Sequence, residues 1–282
     1  MLGISRATFY RRRNQALHAR KQRRKPRASW YGFLKETTDK NPVYGYRKIW
    51  VVSHEVHSLS PSSVYRSLKE QNLLLIPDKT LKRARRKSDS SLPRPKGINQ
   101  VWMVDITEVD IDNYGRYRTI TVFDCYARKV ISYLFSHRIS AEEVVWVCEE
   151  ALKRAKEIHG PITDKIILIT DNGSQFTSFK FERYLKQTPF VHIRTIYRSP
   201  NGIAGLERFH KSLKYEEIYR NHYANPIEAL KNIEIYINWY NKTRIHQALG
   251  YLTPDKVYAE QIKLPENPES VSKKEVKTVS LS

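Results

Sequence analysis

Between residues 100 and 136 the chain runs through three short segments, VWMVDITEVDI, YRTITVFD and KVISYLF, rich in Val, Ile, Thr and aromatic residues. That pattern predicts three successive strands. Turn signals at Asn113-Tyr114-Gly115 and around Ala127-Arg128 separate them, most simply as an antiparallel meander. The period then changes. Ser140 followed by Glu143 predicts a capped helix start, and Val144, Val147, Cys148, Ala151 and Leu152 continue it as a helical apolar stripe. Lys165 to Thr170 returns to strand, residues 178–187 read as helix, Val191 to Ile196 as a fifth strand, and a further helix begins near Ala204. Asn225-Pro226 with Glu228 starts the next helix. Its apolar positions, Ile227, Leu230, Ile233, Ile235, Ile237 and Tyr240, are expected to pack on the central domain.

This order predicts an α/β core of the ribonuclease H kind, a mixed five-stranded sheet with helices. Small helical units precede it. Residues 1–28 read as a partial helix-turn-helix and basic segment, with Ser5 as cap and Arg11, Arg12 and Arg13 on the helix. Residues 29–76 read as a helix-turn-helix-like DNA-binding domain. Tyr44, Ile49 and Val52 line one helix there; Ser60-Pro61 starts the next, with Val64, Leu68 and Leu73 to Ile76 as its apolar side. Ser62, Ser63 and Arg66 would then meet DNA, although a plain three-helix packing domain fits the same pattern. Residues 77–98 form a basic linker carrying Lys82, Arg83, Arg85 and Arg86, suited to a phosphate backbone or to simple tethering. The ribonuclease H-like domain with its C-terminal helices spans 99–264, and 265–282 is an expected disordered tail.

Charge narrows the partner. Fifty Lys and Arg against twenty-nine Asp and Glu give a formal charge of +21, which favours a polyanion. No apolar run is long enough for a membrane span, and no long amphipathic segment argues for a membrane surface. Nucleic acid therefore leads over an anionic membrane, and charge alone does not separate DNA from RNA. Cys125 and Cys148 lack metal-ligand spacing and read as buried thiols in a reducing compartment.

Three acids stand in chemically suggestive settings. Asp105 lies among apolar neighbours in the first strand, Asp171 ends the fourth, and Glu207 opens a helix. Carboxylates brought together repel unless a cation intervenes. Oxygen ligands suit Mg²⁺, with Mn²⁺ as substitute, and two ions per site roughly 3.5–4 Å apart support phosphoryl transfer. The three acids are therefore the expected metal-binding and catalytic set. Asp124 is the runner-up ligand, and Asp105 held by a basic side chain is the structural alternative. His210 or Lys211, and Lys214, share the helix side of Glu207; these, with Arg244, are candidate DNA contacts. Glu108, Asp110 and Asp112 read as strand-edge or turn groups.

The segments YGYRKIW, SPSSVYRSLKEQNLL and NKTRIHQALGYLTPDKVY, together with thirty-five residues between Asp171 and Glu207 and a lysine seven after that glutamate, carry a resemblance. The chain resembles the catalytic second-frame protein of IS3-family insertion-element transposases and, more broadly, the retroviral integrase superfamily. The resemblance implies an integrase-type catalytic core in which Asp105, Asp171 and Glu207 bind two Mg²⁺ ions and Lys214 contacts DNA near the cleaved end. Asn172, Gly173 and Gln175 would shape the loop beside the second aspartate, Asn172 and Gln175 near DNA. It further implies double-stranded element ends and target DNA as partners, a homo-oligomer on DNA and a bacterial cytoplasmic, nucleoid-associated protein. An upstream-frame protein is expected as fusion or partner, in keeping with the abrupt LGISRATFY start. Members excise an element through a copied, circularised intermediate and then integrate it. The chain departs from the family at Asn172, where many members have Arg, and at Ile203, where they have Asn; Gly205 weakens the helix before Glu207. A nuclease that only hydrolyses, or a domesticated, catalytically idle DNA-binding protein, are the alternatives.

Overall fold

The computed structural model describes residues 28–75, 93–195 and 204–264. The expected sites at Arg11, Arg12, Arg13, Lys82, Arg83, Arg85 and Arg86, and the tail 265–282, lie outside these residues. The chain divides into two compact units, Met1–Lys79 and Thr80–Ser282.

In the first unit, helices α1 (Ala28–Lys40), α2 (Tyr46–His57) and α3 (Pro61–Glu70) enclose Leu34, Ile49, Val64 and Leu68. The start of α3 follows the sequence signal: Pro61 opens it, and the Ser60 hydroxyl accepts the Ser63 N–H at 3.2 Å. Trp50 donates its indole N–H to the Leu59 carbonyl at 2.7 Å, tying α2 to the turn. Ser62 and Arg66 are exposed on α3, while Ser63 is partly covered. Two expectations change. Tyr44 is buried but precedes α2, and Leu75 is half exposed, so the run after α3 does not extend its apolar side.

The second unit contains β1 (Val101–Ile111), β2 (Gly115–Asp124), β3 (Lys129–Ser136), α4 (Ala141–His159), β4 (Ile166–Thr170), α5 (Phe179–Leu185), β5 (Phe190–Arg194), α6 (Ala204–Glu216), α7 (Pro226–Lys242) and α8 (Pro254–Ala259). The sheet order is β3-β2-β1-β4-β5. The first three strands form an antiparallel meander, and β4 and β5 run parallel to β1. This is the ribonuclease H-like arrangement that the element order predicts. The turns fall at the predicted places, with Asn113, Gly115 and Arg128 all at positive φ. Ser140 and Glu143 form the full capping box of α4.

Strand alternation divides the core. Trp102, Val104, Ile166 and Leu168 face α4, α5 and α8. Val101, Met103, Val109, Ile167 and Ile169 face α6 and α7. On α7 the buried positions are Ala229, Ile233, Tyr236, Ile237, Tyr240 and Asn241. Ile227, Leu230 and Ile235, expected to join them, are exposed, because the helical period of 3.6 turns those positions away from the sheet.

Asp124 is not a metal-ligand candidate. It pairs with Trp102 across the β1–β2 ladder, whereas Asp105 pairs with Thr121, so parity places the two acids on opposite faces of the sheet. Asp124 is fully buried and accepts the backbone N–H groups of Asn99 at 2.8 Å and Ala127 at 2.7 Å. It thereby closes the turns at one end of the sheet. Burial raises its pKa from 3.8 to about 6 against the pull of these bonds. The folded state then holds this proton more tightly than the unfolded chain, so the Asp124 contribution to stability falls as pH rises from about 4 to about 6. Asp124→Asn should remove that decline, seen as a flatter dependence of the unfolding free energy on pH than in the parent.

Candidate active site

Parallel pairing of β1 with β4 aligns Val101 with Ile167, Trp102 with Leu168 and Met103 with Ile169. Two residues further on, the same register sets Asp105 abreast of Asp171, just beyond the last residue of β4. Both follow residues that face α6 and α7, so alternation turns both carboxylates to that side. The electrostatics agree with the register. Partial burial raises the pKa of Asp171, the Gly173 N–H bond opposes this, and the nearby Asp105 charge raises it further. Among the described residues, neither carboxylate is paired with a lysine or arginine. The basic side chain beside Asp105 is instead a histidine, His210, so the alternative of Asp105 held by a basic side chain is met in part.

Each carboxylate has a local anchor. Asp105 Oδ1 accepts the Ile106 N–H at 2.9 Å, and Asp171 Oδ1 accepts the Gly173 N–H at 2.8 Å. Gly173 has no room for a side chain: a Cβ there would lie 2.9 Å from Gln175 Oε1 and 3.0 Å from Asp171 Oδ1. The loop is also tied to its surroundings. Asn172 donates its amide to the Thr195 carbonyl at 2.6 Å, and Gln175 donates to the Ile139 carbonyl at 3.3 Å. These two side chains, expected near DNA, hold the loop beside Asp171 in place.

Helix α6 is fixed to the sheet by Leu206, Phe209 and Leu213, all essentially inaccessible to solvent. Burial of each stabilises by about 1.5–3 kcal/mol, enough to define the helix orientation. A Cβ on Gly205 would lie 3.7 Å from Met103 Sδ and from Phe123 Cε1. The first turn of α6 therefore crosses β1 two residues from Asp105, at a distance where a side-chain carbon would make ordinary contact. Glu207 sits in that first turn, exposed. Among the described residues, no three His, Cys, Asp or Glu side chains are gathered closely enough to hold a metal ion. Asp105 and Asp171 come together; Glu207 stands on the adjoining helix without closing a three-acid cluster.

His210 corrects the sequence reading. Expected as a DNA contact, it is 6% exposed. Its Nδ1 lies 3.4 Å from Asp105 Oδ2, and its Nε2 lies 3.4 Å from the Thr121 hydroxyl. The imidazole thus covers the cross-strand pair Asp105–Thr121. A signal existed: residues 206, 209, 210 and 213 follow the i, i+3, i+4, i+7 spacing of a buried helix face. Arg244 is a second correction. It is largely buried and ion-paired with Glu216, its Nε bonding Glu216 Oε2 at 2.9 Å, while Tyr236 donates to the same carboxylate. It staples the segment after α7 to α6 and is not available to DNA. Lys211 is exposed and Lys214 partly so, on the solvent side of α6.

Gly173→Ala should displace either the Asp171 carboxylate or the Gln175 amide, because the added carbon comes within about 3 Å of both. A drop in activity of roughly tenfold or more with near-normal melting is the expected result, read from single-turnover rates and thermal unfolding.

Two families described as integrase core domain match residues 95–200 and 191–254, together more than half of the chain. Among relatives, transposase InsD for insertion element IS2A/D/F/H/I/K of Escherichia coli is 28% identical over 222 residues, covering 76% of this chain and 72% of that protein. The InsD of IS2D from strain K12 matches equally. A simian T-cell lymphotropic virus intasome structure, in complex with a PP2A regulatory subunit, is 18% identical with a TM-score of 0.47, over 78% of this chain and 77% of that one. With residues 95–254 matched, the chain belongs to the retroviral integrase superfamily, as a transposase catalytic core of the IS3 family.

Proposed function

We propose that the protein cuts DNA at the ends of an insertion element and joins the freed 3′ ends to target DNA. The observation that carries this reading is the β1–β4 register that sets Asp105 abreast of Asp171, with the charge of one raising the pKa of the other. Family membership supplies the reaction class, polynucleotidyl transfer. Among the described residues the two sheet carboxylates have no Lys or Arg partner, which suits a hard divalent cation, and Glu207 on the adjoining helix would have to approach them to complete the set. Asp105, Asp171 and Glu207 would hold two Mg²⁺ ions, or Mn²⁺, which supply charge neutralisation at the phosphate and at the departing oxygen.

The chain's own residues do the rest. His210 packs on Asp105 and Thr121 and sets the direction of the Asp105 carboxylate. Gly173 does the same for Asp171 through its N–H. Lys211 and Lys214 lie one and two turns beyond Glu207 and bind the phosphates flanking the scissile bond. With water as nucleophile, the bond from phosphorus to the 3′-oxygen breaks and a 3′-hydroxyl is released. With that hydroxyl as nucleophile, the same bond in another strand is exchanged for a new one. The three-helix unit within residues 29–76 is the proposed reader of element ends, through Ser62, Ser63 and Arg66 on α3, and two protomers or more would hold two ends together. An upstream-frame protein would serve as fusion or partner, in the bacterial cytoplasm.

Labelled element ends separate the alternatives: joined product supports the proposal, cleavage without joining indicates a nuclease, and binding alone a catalytically idle protein. Asp105→Asn, Asp171→Asn and Glu207→Gln should each lower strand transfer by about a thousandfold or more, about 4 kcal/mol of transition-state stabilisation. DNA affinity in mobility-shift assays should change little. Retained joining in Asp171→Asn would sink the proposal.

His210→Ala should weaken the response of melting temperature to added Mg²⁺ as well as the strand-transfer rate, whereas His210→Asn should restore part of both. An unaltered Mg²⁺ response in the alanine variant would mean that the ring only fills space.

A further inference from the structure

Past Glu207 the solvent side of α6 carries a second set of residues that the acids do not account for. Arg208, Lys211, Tyr215 and Tyr219 recur three or four residues apart along the exposed side, continuing into the 3₁₀ turn Ile218–Arg220. Tyr215 is 46% exposed and Tyr219 65%. The Lys211 ammonium lies 5.6 Å from the centre of the Tyr215 ring. The two tyrosine rings meet edge to face, 5.4 Å apart at 80°. Packing does not explain them, because Leu206, Phe209, Leu213 and Ile218 already supply the buried contacts of this stretch.

The local acids are turned away from this surface. Glu216 is bound by Arg244 and Tyr236, and Glu217 by Tyr223 and Asn221. What faces solvent beyond Glu207 is therefore cationic and aromatic. From Glu207 to Tyr215 the helix rises about 12 Å at ~1.5 Å per residue, the reach of three or four stacked nucleotides at about 3.4 Å each.

We propose that Lys211, Tyr215 and Tyr219 form a stacking track for the unpaired bases of a single DNA strand leading away from the acids. Ring faces accept any base; on binding, the lysine leaves the Tyr215 ring for the intervening phosphate and the two exposed rings turn from their edge-to-face contact to meet the bases. A duplex keeps its base faces covered by its own stacking, so exposed tyrosines select a strand that has separated from its complement. Placement beside the scissile bond rests on the proposed DNA-cutting function; the strand preference does not.

The test uses the full chain in EDTA, so that no turnover occurs, with fluorescein-labelled short oligo(dT) and a duplex of equal length read by anisotropy. The Tyr215→Ala/Tyr219→Ala pair should bind the single strand about tenfold more weakly or worse and the duplex within about twofold of the parent. Tyr215→Phe/Tyr219→Phe should bind the single strand as the parent does, because the ring and not the hydroxyl is used. If the alanine pair melts early, Tyr219→Ala alone, at the more exposed position, gives the reading. Equal loss on both probes, or unchanged single-strand affinity as expected of a surface for another protein, overturns the proposal. Strand transfer surviving in Asp171→Asn would instead overturn the catalytic reading while leaving these affinities as they are.

Discussion

The structure depends on placing two like charges side by side in the middle of a sheet. Nothing in the β1–β4 pairing itself favours this, since the charge of Asp105 raises the cost of ionising Asp171. The register is held by what surrounds them. Trp102 and Leu168 are buried on one face, Val101 and Ile169 on the other. A slip of one residue would turn each of these side chains to the wrong side. The apolar core thus holds the two acids together against the repulsion between them.

Around that pair, the neighbouring polar groups position more than they bind. His210, Gly173, Asn172 and Gln175 all contact either an acid or the loop that carries one. Arg244 acts one layer further out, where its buried pairing with Glu216 and Tyr236 joins α6 to the end of α7. A partner lost from such a buried pair leaves the other charge uncompensated, so this contact serves the integrity of the helix that carries Glu207. That same pairing withdraws an acid from the outer side of α6 and leaves the part beyond Glu207 basic and aromatic.

Much of the fold was legible because its signals are local. Ser140-Glu143, Ser60-Pro61 and Asn225-Pro226 marked helix starts that the structure reproduces, since a cap needs only residues within one turn. The three meander strands were legible for the same reason. The failures involve direction. Ile227, Leu230 and Ile235 are as apolar as Ile233 and Ile237, yet only the latter two meet the sheet. His210 and Arg244 looked like surface cations and are buried against acids.

By itself the sequence determined the order of elements and the family, because these follow from period, caps and motif spacing along the chain. Tertiary structure alone decided which acids are neighbours. Strand parity sends Asp124 to the face opposite Asp105, although both are aspartates in adjacent strands, and parallel register brings Asp171 to Asp105 across more than sixty intervening residues. Such pairings depend on how distant apolar faces pack, and no local pattern encodes that.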